Sequence, residues 1–306
     1  MQYPSFCHSK ALRTWLTPTP QEQDFRHARV GELPPEPAMG WPTVSIVVPS
    51  FNQVRYLERC LISILQQNYP KLELIVMDGG STDGSRACIE SLAPRLHYWQ
   101  SQQDGGQSAA INEGFRHASG EILAYLNSDD VYLPTAPIHW AAHRFSTQPH
   151  IDIVQGHAYL IDADDTVFGF SAARPWRMLD FKLGIFGIPQ CATFWRRRVY
   201  DAVGGFNEQV RTCMDGEFYL RTAQQGAIFS VVDQVFSGFR IHNQSITGSG
   251  RYRQEYQQKQ EELRRELTVA DPSSLERLLR HGTAKAQRLV NAFRFHPSKV
   301  MRQPTA

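Results

Sequence analysis

Two adjacent carboxylates, Asp129 and Asp130, come shortly after the apolar run ILAYL at residues 122–126, with Asn127 and Ser128 between. Such a run is typical of a buried strand. Ionised carboxylates beside a buried strand are costly unless a partner charge or a metal ion compensates for them. Carboxylate oxygens are also the ligands that hard divalent cations prefer. We therefore predict that this cluster holds a divalent cation against a diphosphate.

A repeating pattern of strands and helices would position the cluster. The runs at residues 44–48, 72–78, 96–100 and 122–126 predict four strands. Helical spacing of apolar residues predicts helices between them at residues 54–67, 85–92 and 108–117. This alternation indicates an α/β fold with a Rossmann-like, mostly parallel sheet flanked by helices.

Polar side chains follow the end of each predicted strand. They are Asn52, Asp78, Asp104 and the Asp129–Asp130 pair. Ligands bind at the carboxyl ends of the strands in such a sheet. For any single turn, a helix cap or a turn former is the commoner reason for Asp or Asn. Four such turns at one edge favour a ligand site.

The later part of the chain is less regular. Helices are predicted at residues 134–145, 197–203 and 214–226, and strands at 151–162, 166–170 and 191–195. Residues 228–240 predict either a strand pair or one long bent strand. Two charged helices follow, at residues 252–267 and 272–293. The second carries an apolar stripe that predicts a packing face, formed by Leu275, Leu278, Leu279 and Val290.

Composition separates three regions. Residues 1–42 form a Pro-rich leader with a possible short helix at residues 9–16, residues 43–250 form the core, and residues 251–306 form C-terminal helices. The core divides into a first half, 43–130, and a second half, 131–250. The tail from Arg251 holds 12 Lys+Arg and 6 Asp+Glu, whereas the rest holds 20 and 24. A basic tail could contact phosphate-bearing membranes or be a solvated helical face.

Net charge and cysteine content exclude several classes. A net charge of +2 gives no case for nucleic-acid binding. Five scattered cysteines without a CxxC pair argue against a disulfide framework or a zinc site, and they indicate a reducing compartment. The N-terminus lacks the apolar core of a signal peptide, and no apolar run approaches the roughly 20 residues of a membrane helix. We expect a cytoplasmic protein.

Two common phosphate-binding motifs are absent from the sequence. It contains neither GxxxxGK[ST] nor GxGxxG after the first strand, which excludes P-loop ATPases and standard dinucleotide dehydrogenases. Carboxylates at the edge of such a sheet favour metal-mediated diphosphate binding instead.

Seven motifs occur in a characteristic order between residues 43 and 248. They are TVSIVVPSFNQ, QQNYPKLELIVMDGGSTDGS, QDGGQSAAINEGF, GEILAYLNSDD, CATFWRR with VGGFNE, MDGEFYLR, and RIHNQSITGS. In these motifs the sequence resembles the inverting glycosyltransferases of family 2, which have the GT-A fold and include bacterial polysaccharide-biosynthesis enzymes. The resemblance implies a GT-A catalytic domain over residues 43–250, with the C-terminal helices as an extension. Its nucleotide-sugar half would be residues 43–130 and its acceptor half residues 131–250.

The resemblance also implies roles for the matching positions. Asp215 would be the catalytic base, and Mn²⁺ or Mg²⁺ would be held by Asp129, Asp130 and His242. Asp78 would hydrogen-bond the nucleotide base, usually uracil. The nucleotide-sugar site as a whole would comprise Pro49, Phe51, Asn52, Asp78, Ser81, Asp83, Asp104, Gln107, Asn112, Arg240, Ser245 and Thr247. Asn127 stands where many members have Asp, which removes one charge from the metal site.

Several roles have alternatives. Glu217 is a rival base. Residues two apart on a helix do not face the same way, so only one of the two would face the cleft, and the motif position favours Asp215. His242 could be a loop histidine without a ligand. Phe194, Trp195 and Gln190 could form an acceptor wall or ordinary core.

The leading hypothesis is an inverting, metal-assisted transfer of a sugar from a nucleotide sugar, typically a UDP-sugar, to a glycan or polyprenyl-linked acceptor. The basic C-terminal helices would then contact the cytoplasmic face of the membrane. A nucleotidyltransferase that makes nucleotide sugars is an alternative, but the turn PSFNQ lacks the Gly-rich basic loop it would need. A non-catalytic nucleotide-sugar-binding module is a second alternative, against which Asp129 and Asp215 argue.

Overall fold

The computed structural model describes residues 32–184, 187–267 and 273–294. The predicted helix at residues 9–16 lies outside these ranges. Within them, the strands are β1 (Val44–Ser50), β2 (Leu72–Asp78), β3 (Tyr98–Ser101), β4 (Ile122–Tyr125), β5 (Val131–Tyr132), β6 (Ile153–Ile161), β7 (Val167–Ser171), β8 (Thr193–Arg196) and β9 (Phe229–Arg240). The segment 228–240 is therefore one long strand and not a strand pair.

The helices of the described residues match the predicted pattern, with two short additions. They are α1 (Val54–Leu65), α2 (Ser85–Leu92), α3 (Gln107–Arg116), α4 (Pro137–Thr147), α5 (Met178–Lys182), α6 (Arg197–Val203), α7 (Met214–Gln224), α8 (Ile246–Ser249), α9 (Arg253–Arg265) and α10 (Ser274–Arg294). The additions are α5 and α8. Both are shorter than two turns, which is too short for a recognisable apolar period. Among the described residues, every helix is too short or too polar to cross a bilayer.

The strands of the described residues form one mixed sheet in the order β3-β2-β1-β4-β8-β6-β9-β5, with β7 paired to β6. The first four strands are parallel, as predicted. Ser50 pairs with Asp78, and Asp78 pairs with Ser101, so these strands end at one level. Beyond β4 the sheet becomes mixed, because β8 runs antiparallel to both β4 and β6 while β9 runs parallel to β6.

Both faces of the parallel half are buried. Ile46 and Val48 pack in the cluster that contains α1, whereas Val47, between them, packs in the cluster that contains α3. This is the period of two expected of a strand covered on both sides. Gly114 of α3 allows a close approach, since an added Cβ would lie 2.7 Å from Cγ1 of Val47.

Two predictions about packing are resolved by the structure. Phe194 and Trp195 of β8 are fully buried, so they are core residues and not an acceptor wall. The prediction of a packing face on the last helix is wrong for Leu278, Leu279 and Val290, which are 70%, 57% and 58% exposed. That helix contacts the body with a different side, as described below.

Candidate active site

The turns after β1 and β2 are bonded to each other. Asn52 has a φ of 53°, in the left-handed region that Asn tolerates better than most residues. Its Oδ1 accepts a hydrogen bond from the Thr82 N–H (2.9 Å), and its own N–H donates to Oγ of Ser81 (2.7 Å). The two predicted donor-binding residues, Asn52 and Ser81, therefore lie side by side at the end of the sheet.

Asp78 connects the ends of β2 and β3. It is 1% exposed, and its carboxylate accepts hydrogen bonds from the N–H (3.0 Å) and hydroxyl of Ser81 and from the Ser101 hydroxyl (2.6 Å). Both oxygens are thus engaged within the protein. The carboxylate shapes the floor of the turn, and a nucleotide base would reach it only through a remaining lone pair.

Asp83 caps two helices. Its Oδ2 accepts from the Val54 N–H at the start of α1 (2.9 Å), and its Oδ1 accepts from the N–H (3.0 Å) and hydroxyl (2.6 Å) of Ser85 at the start of α2. Free N–H groups at a helix start need such acceptors. The structure therefore gives Asp83 the role of a helix cap, and its predicted nucleotide contact has no support from this geometry.

The exposed aromatic ring of Phe51 lies beside the turns that follow β1 and β2. Phe51 is 61% exposed, whereas Pro49 is buried within β1. A Cβ on Gly79 would lie 3.3 Å from Cδ2 of Phe51 and 3.0 Å from Oδ2 of Asp104. The absence of a side chain at residue 79 therefore lets an aromatic face and a carboxylate approach the same point. Asp104 is held there by the Gly106 N–H, which donates to its Oδ1 (2.8 Å).

The start of α3 links the parallel strands to the acidic cluster and to the predicted base helix. Nε2 of Gln107 donates to Oδ1 of Asn127 (2.6 Å). The neighbouring Ser108 hydroxyl donates to the sulfur of Met214, the first residue of α7 (3.1 Å). Residues from three separate motifs therefore meet at one helix N-terminus.

Asn112, further along α3, has a different environment. Its amide donates to the Phe206 carbonyl (2.8 Å) and to Glu208 (2.9 Å), and its Oδ1 accepts from the Tyr200 hydroxyl (2.8 Å) and the Phe206 N–H (3.0 Å). It lines an open cavity of about 760 Å³ around the C-terminal part of α3. With all four hydrogen bonds made inside the protein, Asn112 anchors the 204–208 loop, and the predicted contact with the donor has no free group to make it.

Asp129 and His242 face each other across the site. Oδ2 of Asp129 lies 3.0 Å from Nε2 of His242, and the Gln244 N–H donates to Nδ1 of His242 (3.4 Å). Two ligand atoms at right angles around an octahedral Mg²⁺ would be about 2.9 Å apart. In this structure the pair forms a hydrogen bond, in which Nε2 donates because Nδ1 accepts from Gln244, and its spacing also fits adjacent ligands of one hard cation. No group of three acidic, His or Cys side chains with metal-site geometry occurs among the described residues.

Asp130 points away from that pair. It is fully buried, and its Oδ1 accepts from the Arg240 N–H at the end of β9 (2.7 Å). Burial, together with the nearby charge of Asp129, raises the pKa of the Asp130 carboxyl well above its usual range. In this structure Asp130 ties the acidic turn to β9, and Asp129 is the carboxylate left facing His242.

Arg240 is a buried clamp. It is 2% exposed, and its guanidinium donates to the carbonyls of Asp129 (2.6 Å) and Asp162 (2.7 Å) and to Asp165. The predicted contact of Arg240 with phosphate is thus replaced by contacts that hold the acidic turn. Ser245 caps α8 by accepting from the Gly248 N–H (3.0 Å), and Thr247 is exposed on α8.

The region around Asp129, Asp130, Arg240 and His242 is called the metal corner below. Three residues that support it were not identified from the sequence. The ring of Tyr56 lies 4.8 Å from the Arg240 guanidinium and 4.8 Å from the His242 ring. Asp165 forms ion pairs with both Arg240 and Arg59. The available signal was the spacing of three between Tyr56 and Arg59, which places them on one face of α1.

Asp215 lies in the first turn of α7 and is partly exposed. Burial of its carboxylate raises its pKa, and the Gly216 N–H opposes that shift. The charge of Asp215 in turn contributes to the raised pKa of Tyr125, after the larger effect of burial, so Asp215 lies near the end of β4. The rival Glu217 is buried in a bidentate ion pair with Arg221 (2.7 and 2.8 Å), so Asp215 is the better candidate of the two for a base.

Helix α9 packs against the segment that leads to Asp215. Cys213 has a φ of 62°, which is strained for a residue with a side chain. Nε2 of Gln260 in α9 donates to its buried sulfur (2.6 Å), and the Thr212 hydroxyl donates to Glu255 (3.3 Å). The C-terminal extension therefore contributes contacts to the candidate site.

Comparison with known sequences assigns the chain to a family. The profile described as Glycosyl transferase family 2 matches residues 45–199, about half of the chain. The chain belongs to glycosyl transferase family 2. An uncharacterized glycosyltransferase of Mycobacterium tuberculosis is 32% identical over 186 residues, which cover 60% of this chain and 69% of that protein. The family 2 chain is thus a glycosyltransferase, of the type found in bacterial polysaccharide biosynthesis.

Solved structures show the same fold. S. aureus TarS 1-349 in complex with UDP-GlcNAc superposes with a TM-score of 0.58 at 18% identity, covering 84% of this chain and 74% of that one. A longer TarS chain is covered over 44% of its length. The mannosyltransferase PcManGT of Pyrobaculum calidifontis, in complex with GDP-Man and Mn²⁺, gives a TM-score of 0.58 at 19% identity, covering 89% and 78%. At these identities the likeness establishes the GT-A fold alone.

Proposed function

We propose that this family 2 enzyme transfers a sugar from a UDP-sugar to a glycan or polyprenyl-linked acceptor, with inversion at the anomeric carbon. The observation that carries the proposal is the facing pair of Asp129 and His242, 3.0 Å apart, at the strand edge that also receives α7 with Asp215. A cation-binding pair and a separate carboxylate base are the groups that inverting transfer from a nucleotide diphosphate sugar requires.

Asp215 would act as general base. It would accept the proton of the acceptor hydroxyl as the acceptor oxygen forms its bond to the anomeric carbon. The bond between that carbon and the diphosphate oxygen would break on the opposite face, so that the nucleoside diphosphate leaves with the electron pair. A carboxylate whose pKa is raised by burial binds a proton more strongly than an exposed one, which suits this role.

Asp129 and His242 would hold Mn²⁺ or Mg²⁺, with Asp130 holding the turn that carries Asp129. Their spacing fits adjacent ligands, and such cations are bound by few protein groups plus substrate phosphates. When bound, the cation would neutralise the charge of the leaving diphosphate. The Mn²⁺ in the PcManGT complex supports the same expectation.

The nucleotide would lie between Phe51 and Asp104, above Gly79. An exposed aromatic face can stack on a base, and Asp104 can accept from a ribose hydroxyl or a base N–H. The UDP-GlcNAc in the TarS complex supports uracil, whereas the GDP-Man in the PcManGT complex supports guanine. We favour uracil because the turn with Asp78 matches the motif that typically binds it.

The proposed location is the cytoplasm, with peripheral contact at the inner face of the membrane through the basic C-terminal helices. The positive charge of residues 251–306 supports this contact, since an acceptor on a polyprenyl phosphate would lie at an anionic surface.

A thermal-shift screen of UDP-GlcNAc, UDP-glucose and GDP-mannose, each with and without Mn²⁺, tests donor and metal together. We expect stabilisation by a UDP-sugar that increases with Mn²⁺. Equal shifts with and without Mn²⁺ would contradict the metal assignment. Donor binding without any release of UDP in the presence of acceptor extracts would instead support a binding module.

A further inference from the structure

Among the side chains of α10 that the structure describes, Arg280 and Ala284 lie against the rest of the protein. Nη1 of Arg280 forms an ion pair with Oδ1 of Asp180 in α5 (2.8 Å), and Ala284 is buried. These two residues are four apart, so they lie on one face of the helix. A helix that only completed the core would place its large apolar residues on this side.

Three large apolar residues of α10 lie away from this face and are exposed. Leu278, Leu279 and Val290 are each more than half exposed. At 3.6 residues per turn, Leu279 and Val290 lie almost on one line along the helix, and Leu278 lies about 100° around the helix from Leu279. The small residues Gly282 and Ala286 are also exposed, so nothing among the described residues covers this surface, which we call the outer face of α10.

The positive charge of α10 favours an anionic lipid surface over a second copy of the chain as the partner of the outer face. Residues 274–294 contain five Lys+Arg and one Glu, and one of the five, Arg280, is paired with Asp180 on the side that contacts the body. Lys285 and His281 are exposed on the helix that carries the outer face. Pairing with a second copy would bring two basic helices together, which like charges oppose. An anionic lipid surface accepts both the apolar side chains and the flanking positive charges.

We propose that the outer face of α10 lies in the interface of an anionic bilayer, with the helix axis parallel to the membrane plane. With 21 residues the helix is about 31 Å long, which lets Leu278, Leu279 and Val290 enter the boundary between headgroups and acyl chains together. Lys285 then contacts lipid phosphates. This inference deepens the membrane contact proposed above and rests on that proposal for its link to a lipid-borne acceptor.

Vesicle flotation of the full chain tests the inference. The probes are phosphatidylcholine vesicles with and without phosphatidylglycerol, and no sugar donor is present. We expect binding only to the anionic vesicles and weaker binding in high salt. Leu278→Gln with Leu279→Gln and Val290→Gln should weaken binding by about tenfold or more, because buried apolar area contributes to the affinity of interfacial helices. Ile228→Gln, at a 45% exposed apolar residue outside α10, should leave binding unchanged.

The controls separate the possible failures. Leu278→Gln alone is a milder variant if the triple variant does not fold, and unchanged circular dichroism confirms folding. Absence of binding by the wild type, or equal binding by the triple variant, overturns the inference. Light scattering that shows a wild-type dimer lost in the triple variant also overturns it in favour of a second copy. A UDP-sugar thermal shift on the same samples reports donor binding, and UDP release reports glycosyl transfer, so the two proposals fail independently.

Discussion

Two groups of carboxylates differ in how far along the chain their hydrogen-bond partners lie: Asp78 and Asp83, at the end of β2 and in the turn that follows it, and Asp129 and Asp130 in the metal corner. Asp78 and Asp83 accept hydrogen bonds from residues no more than 29 positions away. Asp129 and Asp130 depend on His242 and Arg240, which are 113 and 110 positions away. The first group can form once neighbouring strands pair, whereas the second requires β9 to be in place.

The local group stabilises the turns, whereas the long-range group positions the residues proposed to bind the metal. The strand-end turns satisfy their own polar groups, so they are rigid before a donor arrives. The metal corner holds Asp129 toward His242 only because Arg240 binds the Asp129 carbonyl and Asp130 binds the Arg240 N–H. Substitutions in the two groups should therefore have different consequences.

The largest expected effect is on catalysis at α7. Asp215→Asn should lower turnover by roughly 100- to 10,000-fold, because the amide cannot accept the acceptor proton. Donor-induced thermal shifts should persist. The measurement is initial-rate UDP release, and Glu217→Gln, which perturbs an ion pair two residues away, is the matched control. Near wild-type turnover in Asp215→Asn would show that another group is the base.

The largest expected loss of stability comes from substitution of Arg240. Arg240→Met should lower the free energy of unfolding by about 3–5 kcal/mol, because it leaves the buried acidic turn without its partner. Asp83→Ala, which removes a local helix cap, should cost only about 1 kcal/mol. Urea denaturation compares the two variants. Equal losses would remove the contrast between the local and the long-range carboxylates.

Metal affinity should distinguish the roles of Asp129 and Asp130. Asp129→Asn should weaken Mn²⁺ binding in the presence of UDP by about tenfold or more, since it removes a charged ligand. Asp130→Asn should weaken it less, because an amide oxygen can still accept from the Arg240 N–H. Calorimetric titration with Mn²⁺ measures both. A larger loss in Asp130→Asn would make Asp130 the principal ligand.

The pH dependence follows from the raised pKa of Asp215. As a base it must be ionised, so turnover should rise with pH through a value above that of an ordinary aspartate. Its contribution to stability has the opposite trend, because a raised folded-state pKa favours the protein at low pH and that gain is lost as pH rises. Asp215→Asn should therefore melt at a higher temperature than wild type at neutral pH, and the gap should close in acid.

The smallest effect is expected at α9. Gln260→Ala should cost about 1 kcal/mol of stability through the lost hydrogen bond to Cys213, and should lower kcat several-fold with little change in KM for the donor. The exposed Gln257 on the same helix provides the control, as Gln257→Ala. If the two variants behaved alike, the contact with Cys213 would have no effect on Asp215.

The parallel half of the sheet could be predicted from the sequence because β1, β2 and β4 are buried on both faces and form apolar runs. The common edge of Asn52, Asp78, Asp104 and Asp129 followed from the alternation of strands and helices. These are local patterns combined with one rule of connection handedness.

The roles of Arg240, Asn112 and Asp83 could not be predicted in the same way. Whether a guanidinium or an amide faces a ligand or the protein depends on the side chains that surround it, and those come from distant parts of the chain. The same limit applies to α10: its apolar stripe is visible in the sequence, but the side that contacts the body is set by Asp180 and the buried position of Ala284.

The contact between Gln260 and Cys213 also bears on how the enzyme is made. A ribosome releases the donor-binding turns, the metal corner and Asp215 itself before it releases α9. Until α9 has emerged and docked, the strained turn at Cys213 lacks the hydrogen bond from Gln260 that supports it. A chain that ends before residue 253 lacks this contact, so the segment that leads to Asp215 is held by fewer bonds than in the full chain.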